Sequence, residues 1–245
     1  MIERPLGRRE PTNWLHTARY PLTASTVPTT PVPVVLGANW YSAFSDPVPE
    51  TNPRTGRFTG RWWAAWPGRD LGYVRGGHAV CLKPQSLTDS PGWRTYYDQG
   101  AEGACVGFAA SRAMSLLNRK RYDARWLYHE AQRVDEWEGE AYSGTSVRAA
   151  MDVLRRVGHA PTYRDVTRPV DASEGIVENR WAQSVDEVLA CLQSPAYAKI
   201  GGVPLLNSWG LDYPRTVYLP LEVLDRLIRE DGEVTMFIDK EDRRG

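Results

Sequence analysis

At 245 residues the chain is long enough to bury a substantial core, in one large domain or two small ones. It is 42% apolar and 24% charged with a formal net charge of zero, which separates it from strongly basic nucleic-acid binders and from acidic-tail proteins. No apolar run reaches the ~18 residues that span a bilayer, the start Met1-Ile2-Glu3-Arg4-Pro5 lacks the apolar core of a secretory signal, and the three cysteines, Cys81, Cys105 and Cys191, are too few for a disulfide framework. A cytoplasmic setting without disulfides is therefore expected.

Residues 1–30 are polar and broken by Pro5, Pro11 and Pro21, so an irregular arm is expected, and Val27 to Pro33 reads as an extended linker. Val34 to Tyr41 has the apolar character of a buried strand. Residues 46–72, rich in Pro, Gly and Trp, read as a long loop, and Tyr73 to Leu82 as a second strand with Gly76 and Gly77 before His78. Residues 84–103 read as a loop that ends in a glycine-punctuated stretch. A helix begins near Ala104, since Cys105, Phe108, Ala109, Ala113, Leu116 and Leu117 recur at helical spacing.

A second helical pattern runs from Ala124 to about Asp135. A third starts at Thr145 or Ser146, both natural N-caps, and stops at Gly158. Ser184 and Glu187 have the spacing of a capping box that opens a fourth helix, to about Leu192. Val203 to Asn207 and Val217 to Leu219 read as strands, Pro220 as the first turn of a helix ending near Gly232, and Val234 to Ile238 as a last strand. Strands, then helices, then strands predict an α+β fold.

Cys105 stands where a helix N-terminus would favour its thiolate, the nucleophilic form of cysteine. A cysteine there can equally be a buried structural residue. The surrounding residues point to chemistry. Asp98-Gln99-Gly100-Ala101-Glu102-Gly103-Ala104-Cys105 resembles the nucleophile motif of papain-like cysteine peptidases. Asn207-Ser208-Trp209-Gly210 is similar to that family's asparagine motif, Gly76-Gly77-His78-Ala79-Val80 to its histidine motif, and the segment from Val217 to Leu224 to the ending of its bacterial and phage members.

The resemblance covers roughly residues 31–240 and implies a two-lobed papain-like fold. Residues 31–245 would form one catalytic domain, with 31–90 and 200–245 in a β lobe and 91–199 in a helical lobe. It implies Cys105 as nucleophile, His78 as base, Asn207 as the residue that orients His78, and an oxyanion hole from the Gln99 amide and the Cys105 N–H. A thiolate–imidazolium pair would attack the carbonyl of a polypeptide or peptide-like substrate, with no metal or organic cofactor and no nucleic-acid or membrane partner. It also implies a setting in the cytoplasm or in a virion, in company with a viral or bacterial structural assembly.

The chain departs from the family in one large respect: the His segment precedes the Cys segment. We read this as a circular permutation, in which residues 31–83 have moved to the N-terminal side and Gln193 to Gly202 bridge the gap. A swapped dimer, with His78 serving a neighbouring chain, is the alternative. His129 falls inside a helical pattern and His159 at a helix end, in a context similar to a family turn far from the nucleophile. Val106 stands where the family often has Trp, and Leu211 to Pro214 replace a second Trp-Gly pair.

Three other readings stand beside this one. His78 and Cys81 form an H-x-x-C pair, but residues three apart on a strand face opposite sides and no C-x-x-C partner exists. Arg57 to Arg69 interleaves cations and aromatics, as either a stacking surface for nucleic acid or sugar or a Trp-packed rim. Finally, the domain could be a catalytically idle module of a phage particle, or an active enzyme that cuts cell-wall amides or transfers peptides.

Overall fold

The computed structural model describes residues 20–87, 97–135 and 143–239. Of the irregular arm expected over 1–30, residues 1–19 lie outside this range, as do residues 88–96 of the loop expected over 84–103. Among the described residues the chain forms strands β1 (Val34–Tyr41), β2 (Val48–Thr51), β3 (Phe58–Trp63) and β4 (Val74–Leu82), helix α1 (Cys105–Asn118), strand β5 (Arg121–Tyr122), and helices α2 (Ala124–Gln132) and α3 (Val147–Arg156). There follow β6 (Pro161–Tyr163), β7 (Val166–Thr167), β8 (Ile176–Trp181), α4 (Val185–Leu192), α5 (Pro195–Ile200), β9 (Gly202–Leu206), β10 (Val217–Pro220), α6 (Leu221–Arg229) and β11 (Glu233–Asp239).

The fold is mixed α+β. Eight strands make one sheet in the order β2-β3-β10-β9-β4-β1-β11-β8, and β5-β6-β7 make a small second sheet. All pairs in the large sheet are antiparallel except β3 with β10. Successive side chains on a strand point to opposite faces, and here both faces are covered. Val35, Ala79, Cys81, Leu206 and Phe237 share a core with α1, α2 and α3. Val34, Leu36, Val80, Leu82, Leu205 and Met236, each one residue out of phase, share the other core with α4 and α6.

The helices form where their caps and apolar spacing dictate. Asp123 accepts the N–H of Trp126 to open α2, Ser146 that of Ala149 to open α3, and Ser184 that of Glu187 to open α4. Glu187 reaches back to the N–H of Gln183 at 2.6 Å, so the box closes one residue before the cap. Helix α1 is buried from Cys105 through Leu116, as expected of a helix wedged between a sheet and two other helices. Pro220 ends β10 and caps α6, one residue earlier than its expected place in the first turn.

Several elements differ from the expectation. The loop predicted over 46–72 contains the β2–β3 hairpin, whose largely exposed residues, Pro49 and Gly60 hide the period of a half-buried strand. Strand β8, Ile-Val-Glu-Asn-Arg-Trp, spends Glu178 and Arg180 on each other and buries Ile176 and Trp181. It lies within 91–199 yet joins the large sheet beside β11, so this segment supplies more than helices. Residues 20–33 are irregular but anchored: Leu22 and Val32 are buried, and the Leu22 N–H bonds Trp181 O at 3.0 Å.

Helices α1 and α2 approach closely at Gly107, where an added Cβ would sit 2.4 Å from Ala124 O and 2.8 Å from Tyr128 Cβ. Backbone cannot yield as a flexible side chain can, so Gly107→Ala must push α2 away from α1. We expect a loss of about 1–3 kcal/mol in urea unfolding; an unchanged midpoint would show that the helix pair is looser than this geometry requires.

Candidate functional site

The site forms at one end of the large sheet. Antiparallel pairing of β1 with β4 sets Ala38 opposite His78, and pairing of β4 with β9 sets Cys81 opposite Leu206. The C-terminal end of β9, where Asn207 follows, therefore lies beside the stretch of β4 that carries His78. Their side chains meet: His78 Nε2 and Asn207 Oδ1 are 2.8 Å apart.

A second bond fixes which atom donates. The Ser208 backbone N–H, which can only donate, also bonds Asn207 Oδ1 at 2.8 Å. Oδ1 is thus the acceptor and Nε2 carries the hydrogen, so in the neutral ring the lone pair is on Nδ1. His78 is 7% exposed. Burial opposes its charged form and lowers its pKa from 6.5 to about 4, with the Asn207 bond pulling the other way. Two indoles enclose the ring: the Trp40 centroid lies 4.5 Å away, edge-on, and that of Trp209 5.1 Å away, tilted.

Gln99 arrives from the other motif. Its N–H bonds Ser208 O at 2.8 Å, and Asp98 forms an antiparallel bridge with Trp209. The Ser208 hydroxyl donates to Gln99 Oε1 at 2.5 Å, so Nε2 points away from Ser208 and gives one of its two hydrogens to Glu102 O at 2.9 Å. Gly210, at φ +60, lies where a Cβ would strike the Asp98 carboxylate at 2.5 Å; Gly103 lies where one would strike Ser143 O at 2.5 Å. Gly210 therefore permits the close crossing of the two motif segments, and Gly103 the approach of the Ser143 backbone.

Cys105 is the first residue of α1, 7% exposed, and Ala104 in the N-cap position offers no capping oxygen. The thiol is near enough to Tyr128 to join burial and Glu102 in raising that phenol's pKa. Cys105 shares its core with Ala79 and Cys81, whereas Val80 and Leu82, in phase with His78, line the opposite core. Cys105 and the β4 residues in phase with His78 thus belong to opposite faces of the sheet. The structure joins His78 with Asn207 and Gln99 with Ser208 inside one chain, and sets Cys105 at the head of the helix that packs on β4.

Two residues of the site were not singled out from the sequence. Ser208 links the Gln99 amide to the Asn207 segment, and its place inside the asparagine motif was the available signal. Trp40 covers His78; its alternation with Ala38 along β1 pointed toward that ring. The remaining histidines lie elsewhere. His159 is fully buried, accepts the Ala160 N–H at Nδ1, bonds Ser111 Oγ at 2.9 Å and stacks on Tyr122. His129 is exposed, 3.8 Å from Glu102 on the surface of α2. Among the described residues no cluster of three or more His, Cys, Asp or Glu could hold a metal ion, and no helix is long and apolar enough to cross a membrane.

Burial lowers the pKa of both His78, to about 4, and His159, to about 3, from 6.5. Between these values and 6.5 the unfolded chain binds more protons than the folded one, so stability is full above pH 6.5 and falls as the pH drops. Each histidine contributes a slope of up to about 1.4 kcal/mol per pH unit. Urea unfolding at pH 7, 6 and 5 should give a shallower slope for His159→Gln than for wild type; equal slopes would contradict the buried neutral ring. Compared with family models, curated proteins and solved structures, the chain finds no match in any of the three.

Proposed function

We propose that the protein is a cysteine hydrolase that cleaves peptide amide bonds on a papain-like, circularly permuted framework. The observation that carries this reading is the His78–Asn207 hydrogen bond, with its acceptor pinned by the Ser208 N–H. An imidazole presented in one tautomer, with Nδ1 as its free lone pair, is what a thiol nucleophile needs from its base. The sheet order supports the permutation: β4 and β1, which precede Cys105 in the chain, lie between β9 and β11, which follow it. A site of this kind depends on geometry and not on chain order.

In the proposed cycle His78 Nδ1 takes the Cys105 proton as sulfur attacks the substrate carbonyl. The oxyanion is held by the Cys105 N–H and the free hydrogen of Gln99 Nε2. His78 returns the proton to the leaving amine, the C–N bond breaks and a thioester remains. Water, deprotonated by His78, then attacks the thioester and releases a carboxylic acid and the thiol. Asn207 holds the ring throughout. Burial lowers the pKa of His78, and a thiolate beside Nδ1 acts in the opposite direction, favouring the ion pair that the resemblance implies.

A second reading, a catalytically idle module of a particle, is favoured by one observation: Cys105 and the residues in phase with His78 belong to opposite cores. Alkylation by iodoacetamide separates the two. The hydrolase reading predicts Cys105 reactivity well below the free-thiol pKa of ~8.5, at least tenfold slower in His78→Ala and unchanged in His159→Gln. With a peptide substrate in hand, Gln99→Ala should lower kcat by about 10²–10³. Sluggish labelling insensitive to His78 would overturn the hydrolase reading.

A further inference from the structure

The β2–β3 hairpin is the cationic and aromatic segment that the catalytic reading leaves unexplained. We propose that its tip, with the exposed start of β4, is a docking surface for the acidic, extended flank of a peptide substrate; this rests on the peptidase reading.

The topology places the tip. β10 runs antiparallel to β9, with Val217 opposite Leu205, and β3 runs parallel to β10, with Trp63 opposite Tyr218. The N-terminal end of β3, at Phe58, is therefore at the same end of the sheet as Asn207 and His78. At ~4.8 Å between strands β3 lies roughly 14 Å from β4, a span of about four residues of extended peptide. Trp66 and Arg69, beyond the other end of β3, fall outside this surface.

The tip is built firmly. Asn52 Oδ1 accepts the N–H groups of Arg54 and Thr55 at 2.9 and 3.2 Å, and the Asn52 N–H bonds Arg57 O at 2.8 Å. Arg54 and Arg57 are exposed on either side of this turn. Phe58 is 50% exposed and leans on Trp62 with centroids 5.4 Å apart. At the start of β4, Tyr73 is 71% exposed and Arg75 is exposed, its Nη1 on Ser45 Oγ at 2.8 Å.

The charge balance selects the occupant. Glu50, the hairpin's carboxylate, is spent on Arg61 at 3.2 Å and on the Thr59 hydroxyl. Asp70, nearby, accepts the Gly72 N–H. Arg54 and Arg57 thus make the tip cationic on a chain of zero net charge, while Arg75, on Ser45, has exposed Asp46 as the next residue of that segment; guanidinium groups match carboxylates in fork geometry. An apolar side chain of the same peptide can pack on Phe58 or Tyr73. Addition of a strand to the outer edge is disfavoured, because Pro49 in β2 has no N–H to donate. Nucleic acid would need successive open rings for stacking, whereas Trp62 is half-buried beside Phe58 and Trp63 is buried.

The test uses the full chain as Cys105→Ala, so that nothing is cleaved, and fluorescence anisotropy of three labelled probes: a ten-residue peptide of Glu, Asp and Phe, the same peptide with Gln and Asn, and a thymidine decamer. The acidic peptide should bind at least tenfold tighter than its amide counterpart, and Arg54→Ala with Arg57→Ala should remove that preference. Equal binding of the two peptides, no binding of either, or tighter binding of the decamer would each overturn the proposal. Alkylation of Cys105 in the Arg54→Ala, Arg57→Ala protein, measured separately, should match wild type. An unreactive thiol alongside selective peptide binding would sink the peptidase reading and leave the docking surface.

Discussion

Strand β4 runs through the middle of the large sheet with a core on each face, and most of the site's physics follows from that placement. A polar group on such a strand must find its partner within the protein, because water is not at hand. His78 finds Asn207, and Asn207 Oδ1 is in turn held by the backbone of Ser208. Burial then keeps the imidazole neutral, and the hydrogen bond decides which nitrogen keeps the proton. Tautomer, orientation and charge state thus come from a single constraint.

The same segment ties the two halves of the site together. Ser208 accepts the Gln99 N–H through its carbonyl and orients the Gln99 amide through its hydroxyl. Asn207, Ser208 and Gln99 are therefore bonded into one unit, and Gln99 leads within six residues into the helix that Cys105 opens. None of these bonds depends on whether the His strand comes before or after the Cys helix in the chain. β1 and β4 form an antiparallel pair that lies between β9 and β11.

Much of this was legible in the sequence where local rules and burial agree. The strands Val34–Tyr41 and Val74–Leu82 and the helix opening at Cys105 carry strong apolar patterns; Asp123, Ser146 and Ser184 announce their helices through side chains that cap them. The elements that escaped are short, exposed or made by pairing. β2 and β3 show mostly polar or exposed faces, β8 places Glu178 and Arg180 on an interior segment of chain, and β5 to β7 become strands only because they meet one another. In the site, His78, Asn207 and Gln99 were found through motifs, and with them the expectation that Asn207 orients His78; the bonds of Ser208 to Asn207 and Gln99 were not. The role of Ser208 depends on register between segments more than a hundred residues apart, and the cover given by Trp40 on the pairing of β1 with β4; no local pattern encodes either.

The proposed chemistry requires that His78 and Cys105 act as a pair. The most direct test is the imidazole titration of His78, followed by NMR in wild type and in Cys105→Ala. If the two are coupled, His78 should titrate near 4 in Cys105→Ala, as burial alone dictates, and at a clearly higher pH in wild type, where a thiolate beside Nδ1 stabilises the imidazolium. Identical titrations in the two proteins would contradict the pairing and leave His78 and Asn207 as a buried structural couple.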